Sequence, residues 1–589
     1  MKRIIASMMA FCMTLCSYAD TVSQNMAAET ARSFFASNST RSSSVLLTMV
    51  WDGHDAMTRA GEEPAFYVFN NASGGFVIIS GEDAARPVLG FSETGRFKVE
   101  GMPAQVRGWF DFYKAQIASL RQGNAARTAK ADELWNNVSR GDVRRATQVT
   151  LSTPAWGQDG PFNNLLPKVD NQQSVTGCVC TATCEVMYYH KWPSQGHGTL
   201  PDYKYETDKG NNRTQTGHTL TATYDWSKMA KNYNMNYTST AASQVAQLMF
   251  DVGVMLKSSY NGADGYNTYG TGAYDQDVIP AMVRYMDYDS SAVLLYREQY
   301  SDSRWAAMMR AEIDAGRPMI YGGEGDDGGH CFVVDGYKAN DYFYVNWGWY
   351  GDSNGWFAIS SFIVDGYDFR YNQDCIFGLK KNEGGAGKTM MYHYVDSGTA
   401  GLVLKSGSIG TTSFMMAVNG VYNFGPYTVD TDYAFVLADR NGNVKELISA
   451  TDDGEVEPDY GFTTQESCRL SSSAAKNLQI GDNIIYCFRN AKGQWEKIPM
   501  YETCKGVDAY AVYHVPFIEV NATATYNAGD LLTLRLININ KAPSSTKWYM
   551  DGTLVKDSDV ILKAGEHTIK CVAKFSDRSE TLIQKITVR

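Results

Sequence analysis

The sequence predicts an α+β protein of several domains: a small α+β unit, a large mixed unit, and two β-sandwich domains at the C-terminal end. Three observations carry this. At 589 residues the chain exceeds what one hydrophobic core supports. Its first two thirds mix amphipathic helical stretches with alternating strands, whereas the last third holds only short alternating segments between turn signals. Glycine (53), tyrosine (37) and tryptophan (12) are plentiful, which suits loop-rich and β-rich architecture better than helical bundles.

Residues 1–19 read as a signal peptide. Lys2 and Arg3 form a positive start, Ile4 to Leu15 an apolar stretch, and Ser17-Tyr18-Ala19 a small-x-small cleavage site. The apolar stretch is too short to span a bilayer, and no later run is longer, so a secreted chain without a membrane span is expected. Residues 20–148 read as a small α+β unit with a processing segment at its end. Its helix pattern covers Ala27 to Phe35, and its strands are Ala65 to Phe69 and Gly75 to Ile79, joined by a turn at Asn70 to Gly74. An amphipathic helix follows over Ala104 to Arg121, with Val106, Trp109, Phe110, Phe112, Tyr113, Ile117 and Leu120 on one face. Residues 122–148 turn polar and basic (Arg127, Lys130, Arg140, Arg144, Arg145), as a linker or a protease-cut connector does.

The large unit spans 149–384. It has helix patterns at Cys178 to Lys191, stopped by Trp192-Pro193, and at Ala241 to Lys257. A Gly/Asp/Tyr-rich loop covers Ser259 to Gly272, and strands follow at Cys331 to Asp335, Tyr342 to Val345 and Trp356 to Ile359. Glu383 to Gly387 is a glycine-rich linker. Residues 385–505 read as a β-sandwich, with strands at Gly401 to Leu404 and Tyr433 to Leu437 and a hairpin turn at Asp439 to Gly442. Residues 506–589 read as an Ig-like sandwich. Trp548 and Cys571 resemble the buried tryptophan and later cysteine of such domains, although the partner cysteine is absent.

A net charge of −11 argues against a nucleic-acid partner, because phosphate recognition needs a basic face. Beyond the leader the cysteines are Cys178, Cys180, Cys184, Cys331, Cys375, Cys468, Cys487, Cys504 and Cys571, an odd set in an exported chain. Cys178-x-Cys180-x3-Cys184 lacks zinc-knuckle spacing, so no metal and no cofactor are expected.

Thiol catalysis needs a thiolate, a base and donors for an oxyanion. Thr176-Gly177-Cys178 at a helix start supplies the helix dipole and unpaired amides that lower a thiol pKa. Cys180 and Cys184 lie deeper in the helix and read as small buried hydrophobes. Among the histidines, His190 lies about 18 Å along the same helix, out of reach of Cys178, and His197 and His218 sit in polar loops. His330 follows Gly328-Gly329 and begins the apolar run Cys331 to Val334. Asn346-Trp347 ends the next strand, where an amide could orient an imidazole under an aromatic shield.

These residues carry a resemblance. Thr176-Gly177-Cys178-Val179-x-Thr181-Ala182-Thr183, Gly329-His330-x-Phe332-Val333-x-Asp335-Gly336 and Val345-Asn346-Trp347-Gly348-Trp349 resemble the streptopain family of papain-like cysteine peptidases. Trp156-x-Gln158 with Pro161-Phe162-Asn163 and Tyr224-Asp225-Trp226 support it, and Gly74 to Gly81 resembles that family's inhibitory propeptide. The resemblance implies a papain-like catalytic domain preceded by an inhibitory propeptide, and a zymogen acting on protein or peptide substrates. It also implies that Cys178 is the nucleophile, His330 the base, Asn346 its orienter and Trp347 the shield. Gln173 is then expected as the side-chain oxyanion donor, with Gln172 as fallback. Cys180, Cys184 and Cys331 stand where small residues are expected, and Glu185 where an amide is expected. Glu324, Asp326 and Asp327 are expected to disfavour acidic substrates, and Tyr260 to Gly272 to border the substrate groove. The competing readings are acyl transfer by the same triad and an exported adhesion protein with a vestigial core. The C-terminal sandwiches are expected as spacers or as docking modules for an unknown partner.

Overall fold

The structure, a computed structural model, describes residues 20–36, 45–54, 63–102, 104–122, 127–138, 147–207, 209–234, 236–261, 270–325, 328–338, 342–359, 373–385, 387, 389–395, 397–458, 460–479, 481–501, 504–512, 517–519, 531–537, 543–555, 559–574 and 579–589. The expected signal peptide and most of the loop expected at the groove lie outside the described residues, as do the side chains of 324–329.

The described residues divide into two units, Met1–Asp275 with Glu312–Gln373, and Gln276–Ala311 with Asp374–Arg589. The segment expected as one domain over 149–384 is thus shared between them. Contacts distant in sequence, which no local pattern records, draw this boundary.

In the first unit, α1 (Gln24–Ala36) buries Ala27, Ala31, Phe34 and Phe35, one stripe at helical spacing. It covers an antiparallel meander of β1 (Leu47–Trp51), β2 (Phe66–Asn71), β3 (Phe76–Ser80) and β4 (Val88–Ser92). The expected helix is α2 (Ala104–Gln122), which buries Val106, Trp109, Phe110, Tyr113, Ile117 and Leu120 and leaves Phe112 half-buried. A further helix, α3 (Ala129–Val138), stands inside the stretch read as a linker. Ala131, Leu134 and Val138 form its buried stripe, a weak signal masked in sequence by the surrounding charges.

A short strand, β5 (Gln148–Thr150), leads into the remainder of the unit. There the helices are α4 (Cys178–His190) and α5 (Ser239–Met255), and the strands are β6 (Met319–Gly325), β7 (Gly328–Lys338), β8 (Tyr342–Asn346) and β9 (Gly355–Ala358). Lys191, left-handed at φ 50°, ends α4 as the Trp192-Pro193 signal suggests. Thr238 caps α5 by accepting from Ala241 N.

The sheet order β1-β2-β3-β4-β9-β8-β7-β6 makes one continuous surface, because β4 pairs with β9 (Phe91 opposite Trp356, Gly90 opposite Phe357). The N-terminal unit is therefore stitched to the larger one by backbone. Side chains add to this: Tyr113 OH donates to Leu89 O and Ala358 O, each at 3.1 Å, and Tyr342 OH to Val88 O at 2.7 Å. Lys338 Nζ, deeply buried, meets Glu93 Oε1 at 3.1 Å.

In the second unit, strands Thr399–Ser406, Phe414–Asn423 and Gly461–Cys468 form one sheet, and Val429–Ala438, Val444–Leu447 and Asn483–Arg489 another. Their buried faces share one core that includes Leu402, Phe414, Met416, Phe435, Leu437 and Tyr486, so two sheets sandwich a common interior. The turn at Asp439 forms: its Oδ1 accepts from Asn441 N and Asn443 N at 2.8 and 2.9 Å. Lys505–Val507 and Tyr510–Ala511 still pair within these sheets, which carries this body past 505. Beyond it, Trp548 stands directly opposite Cys571 on paired strands, over a core with Leu532, Ile569 and Ile586.

Among the described residues no helix is long and apolar enough to cross a membrane, and no group of three His, Cys, Asp or Glu side chains could hold a metal ion.

Candidate active site

The backbone before α4 positions the thiol. Thr176 N donates to Gln158 O at 3.0 Å and Val175 N to Asn261 O at 3.2 Å. Gly177 follows at φ +83°, and a Cβ there would lie 2.4 Å from Thr271 O, so only glycine fits this turn. Thr181 Oγ1 donates to Gly177 O at 2.8 Å and receives the Thr176 hydroxyl at 2.7 Å. Cys178, half-buried, is the first residue of α4, so its N–H lies among the amides that a helix leaves unused at its start.

The Cys178 sulfur accepts the backbone N–H of Cys331, which places it beside the residue that follows His330. Burial raises this thiol's pKa and Asp275 adds to the rise, while the Cys331 N–H opposes it. In this covered state the sulfur is held as a thiol. Cys180 and Cys184 are buried in the core, Cys180 Sγ donating to Met249 O at 3.4 Å. All nine described cysteines are thiols.

Register decides which way each strand residue faces. Val333 stands opposite Asn346, so Asn346 shares a face of the sheet with Val333, and His330 shares the other with Phe332. That other face lies under α2. A Cβ added to Gly108 would sit 3.0 Å from His330 Nδ1. Trp109 meets His330 and Phe332 edge-on, at 6.3 and 5.5 Å between ring centroids, and Trp347 at a tilt, at 6.2 Å. His330 is only 5% exposed as a result.

Trp347 packs on Phe332 at 4.8 Å, and its Nε1 donates to Ser353 O at 3.1 Å. Asn346 faces α4. Its Nδ2 donates to Pro154 O at 2.7 Å and Thr153 Oγ1 at 3.3 Å, and its Oδ1 accepts from Asn354 Nδ2 at 2.9 Å. The structure thus gathers Cys178 and the histidine strand at one place, with the His330 and Trp347 rings under α2 and the Asn346 amide on the other side of the sheet.

Gln173 lies near, but its Nε2 is spent on the carbonyls of Asn163 and Leu166, each at 2.8 Å, which ties down the loop before α4. Gln172 is exposed. Gln158, whose carbonyl braces Thr176, instead holds a buried Nε2 that has no hydrogen-bond partner among the described residues. A buried donor without an acceptor is costly. It marks Gln158 as a donor awaiting an oxygen, a residue that counting back from Cys178 misses although Trp156-x-Gln158 is conspicuous in sequence. His218, expected in a polar loop, is half-buried and locked to Asp251 at 2.7 Å.

The Peptidase C10 family model matches residues 156–357, and the Spi protease inhibitor model matches residues 19–117. The chain is 30% identical to the thiol protease/hemagglutinin PrtT of Porphyromonas gingivalis over 372 residues, which is 61% of this chain and 41% of that protein. It is 28% identical to streptopain of Streptococcus pyogenes over 313 residues, 50% of this chain and 74% of streptopain. Among solved structures, a cysteine-to-alanine fragment of Prevotella intermedia prointerpain A is 31% identical, with a TM-score of 0.44 over 56% of this chain and 98% of that one.

Proposed function

We propose that this chain, which belongs to the Peptidase C10 family, is a secreted cysteine endopeptidase made as a zymogen, with residues 20–148 as its own inhibitor. The observation that carries this reading is the position of Cys178: it opens α4 beside a free-ended set of helix amides, and its sulfur touches the N–H next to His330. Latency follows from the same contacts. Gly108 and Trp109 hold the His330 ring against the sheet, and burial keeps the Cys178 sulfur protonated.

Cutting between 122 and 149 and removing α2 uncovers His330, which can then turn toward Cys178. Proton transfer to the imidazole leaves a thiolate–imidazolium pair. The sulfur attacks the scissile carbonyl carbon, and the resulting oxyanion is received by Cys178 N–H and Gln158 Nε2. His330 returns its proton to the leaving amine as the C–N bond breaks, leaving a thioester. It then takes a proton from the water that hydrolyses this thioester, releasing acid and free thiol. Once His330 has turned from the α2 face to the α4 side of the sheet, Asn346 Oδ1 accepts from the imidazole in place of Asn354 Nδ2 and keeps it oriented, while Trp347 shields that contact.

The test is cleavage of a casein-like protein by the matured chain in a reducing buffer. Activity blocked by an epoxide thiol trap and lost in Cys178→Ala supports the reading. Cleavage that persists in Cys178→Ala, or a matured protein with no thiol-dependent activity, sinks it.

A further inference from the structure

Behind Asn346, on the α4 side of the sheet, lie two buried carboxyl groups. Asp335, 2% exposed, accepts from Thr153 N and Thr153 Oγ1, each at 2.7 Å. Glu185, 0% exposed, accepts from Trp156 N at 3.0 Å, and its other oxygen is buried without a hydrogen-bond partner among the described residues. Burial pushes both above the usual carboxylate range, Glu185 the further, and Asp335 raises Glu185 again. Two such neighbours do not both ionise readily. Against that rise, Asp335 has two donors on one oxygen, Thr153 N and Thr153 Oγ1, with Lys231 acting in the same sense.

Thr153 Oγ1 donates its single hydroxyl proton to Asp335 Oδ2 at 2.7 Å. The Thr153 oxygen then offers only lone pairs, and it receives Asn346 Nδ2, which also donates to Pro154 O. A flipped amide would set Oδ1 against that carbonyl and those lone pairs, acceptor against acceptor. The chain of bonds from Asp335 therefore sends Asn346 Nδ2 inward and Oδ1 outward. Here Oδ1 is occupied by Asn354 Nδ2 and, at 3.4 Å, by Gly348 N. An outward oxygen is the edge that an imidazole N–H needs; an outward NH2 would repel it.

We propose that Asp335, acting through the Thr153 hydroxyl, is the positioning residue that sets the polarity of the Asn346 amide and makes it an acceptor for the catalytic histidine. This rests on the peptidase reading above. Neither Asp335 nor Thr153 touches the reacting atoms.

The test compares matured wild type, Thr153→Val, Thr153→Ser, Asp335→Asn and the double variant T153V/D335N on a neutral fluorogenic peptide. Alkylation of Cys178 by iodoacetamide is followed against pH in parallel. Thr153→Val and Asp335→Asn are each expected to lower kcat by about 10²-fold, the scale of a misoriented catalytic group, with KM little changed. The double variant should lose no more than either single one, because both act through one chain of bonds. Thr153→Ser, which keeps the hydroxyl, should recover most of the activity. The acidic limb of the alkylation profile, which reports the thiolate–imidazolium pair, should move to higher pH in the first two variants and not in Thr153→Ser. Wild-type kcat and alkylation in Thr153→Val, or additive losses in the double variant, overturn this inference while leaving the peptidase reading intact. A wild type that neither cleaves peptide nor alkylates on an acidic limb overturns both. Should Asp335→Asn fail to mature, the near-isosteric Thr153→Val decides the matter by the same two readouts.

Discussion

Replacing Trp109 by alanine in the full chain should convert a silent zymogen into one that leaks activity before any cut. Trp109 is 1% exposed. Four of its ring neighbours belong to β6, β7 and the end of β8: Tyr321 at 6.4 Å, His330 at 6.3 Å, Phe332 at 5.5 Å and Trp347 at 6.2 Å. Within α2 it also meets Phe112 and Tyr113, at 5.9 and 5.8 Å, contacts that survive undocking. Truncating a buried tryptophan costs about 3–5 kcal/mol. If about 3 kcal/mol of this falls on docking of α2, the population with α2 lifted rises about 10²-fold, since each 1.4 kcal/mol is a factor of ten. The assay uses a chain whose 122–149 segment is made uncleavable, so that docking alone is read. Peptide cleavage and Cys178 alkylation are measured without added protease. Both should rise together, on the order of 10²-fold. An uncleaved Trp109→Ala chain that melts earlier yet stays as silent as the parent would refute the idea that this ring holds the histidine side shut.

Gln158→Ala should lower kcat by about 10² to 10³, the usual loss for one oxyanion donor. Gln173→Ala should act mainly on stability, because its amide ties down the carbonyls of Asn163 and Leu166; the reverse ranking in steady-state kinetics would return the donor role to Gln173. Gly177→Ala forces a side chain into a φ +83° turn 2.4 Å from Thr271 O, so Cys178 should lose its fast alkylation in the matured enzyme even where the protein still folds. Acid should weaken the second unit through His393, which burial holds at a pKa of about 4 against an ordinary 6.5. Above about pH 6.5 the group is neutral in both states and contributes nothing. As pH falls toward 4, the unfolded chain binds a proton that the folded one refuses, so stability drops by about 3 kcal/mol. Urea titrations at pH 7 and pH 4 should show that loss, and His393→Gln should remove it; a variant with the parent's acid sensitivity would place the effect elsewhere.

Much of the local structure was legible because it repeats at short range. The stripe Val106, Trp109, Phe110, Tyr113, Ile117 and Leu120 announces α2 within a residue of its observed end. The glycine before Cys178 and the proline after Trp192 bracket α4. Helix α3 escaped because its three buried residues are diluted among polar and charged ones. Gln158 escaped for a different reason: its value lies in a side-chain nitrogen left buried without an acceptor, and only the folded chain has such a thing.

The sequence by itself determined a thiol at the start of a helix, a histidine at the mouth of a strand, an amide closing the next strand and an amphipathic helix near the N-terminus. Each is written in neighbours a few positions apart. Only the tertiary structure decided that His330 and Asn346 look out from opposite faces of one sheet and that α2 lies on the histidine's side. It also decided that Asp335 reaches Asn346 through Thr153. The physical reason is register. A strand slipped by one residue turns every side chain to the other face, and what fixes the slip is pairing with strands and packing under a helix far away along the chain.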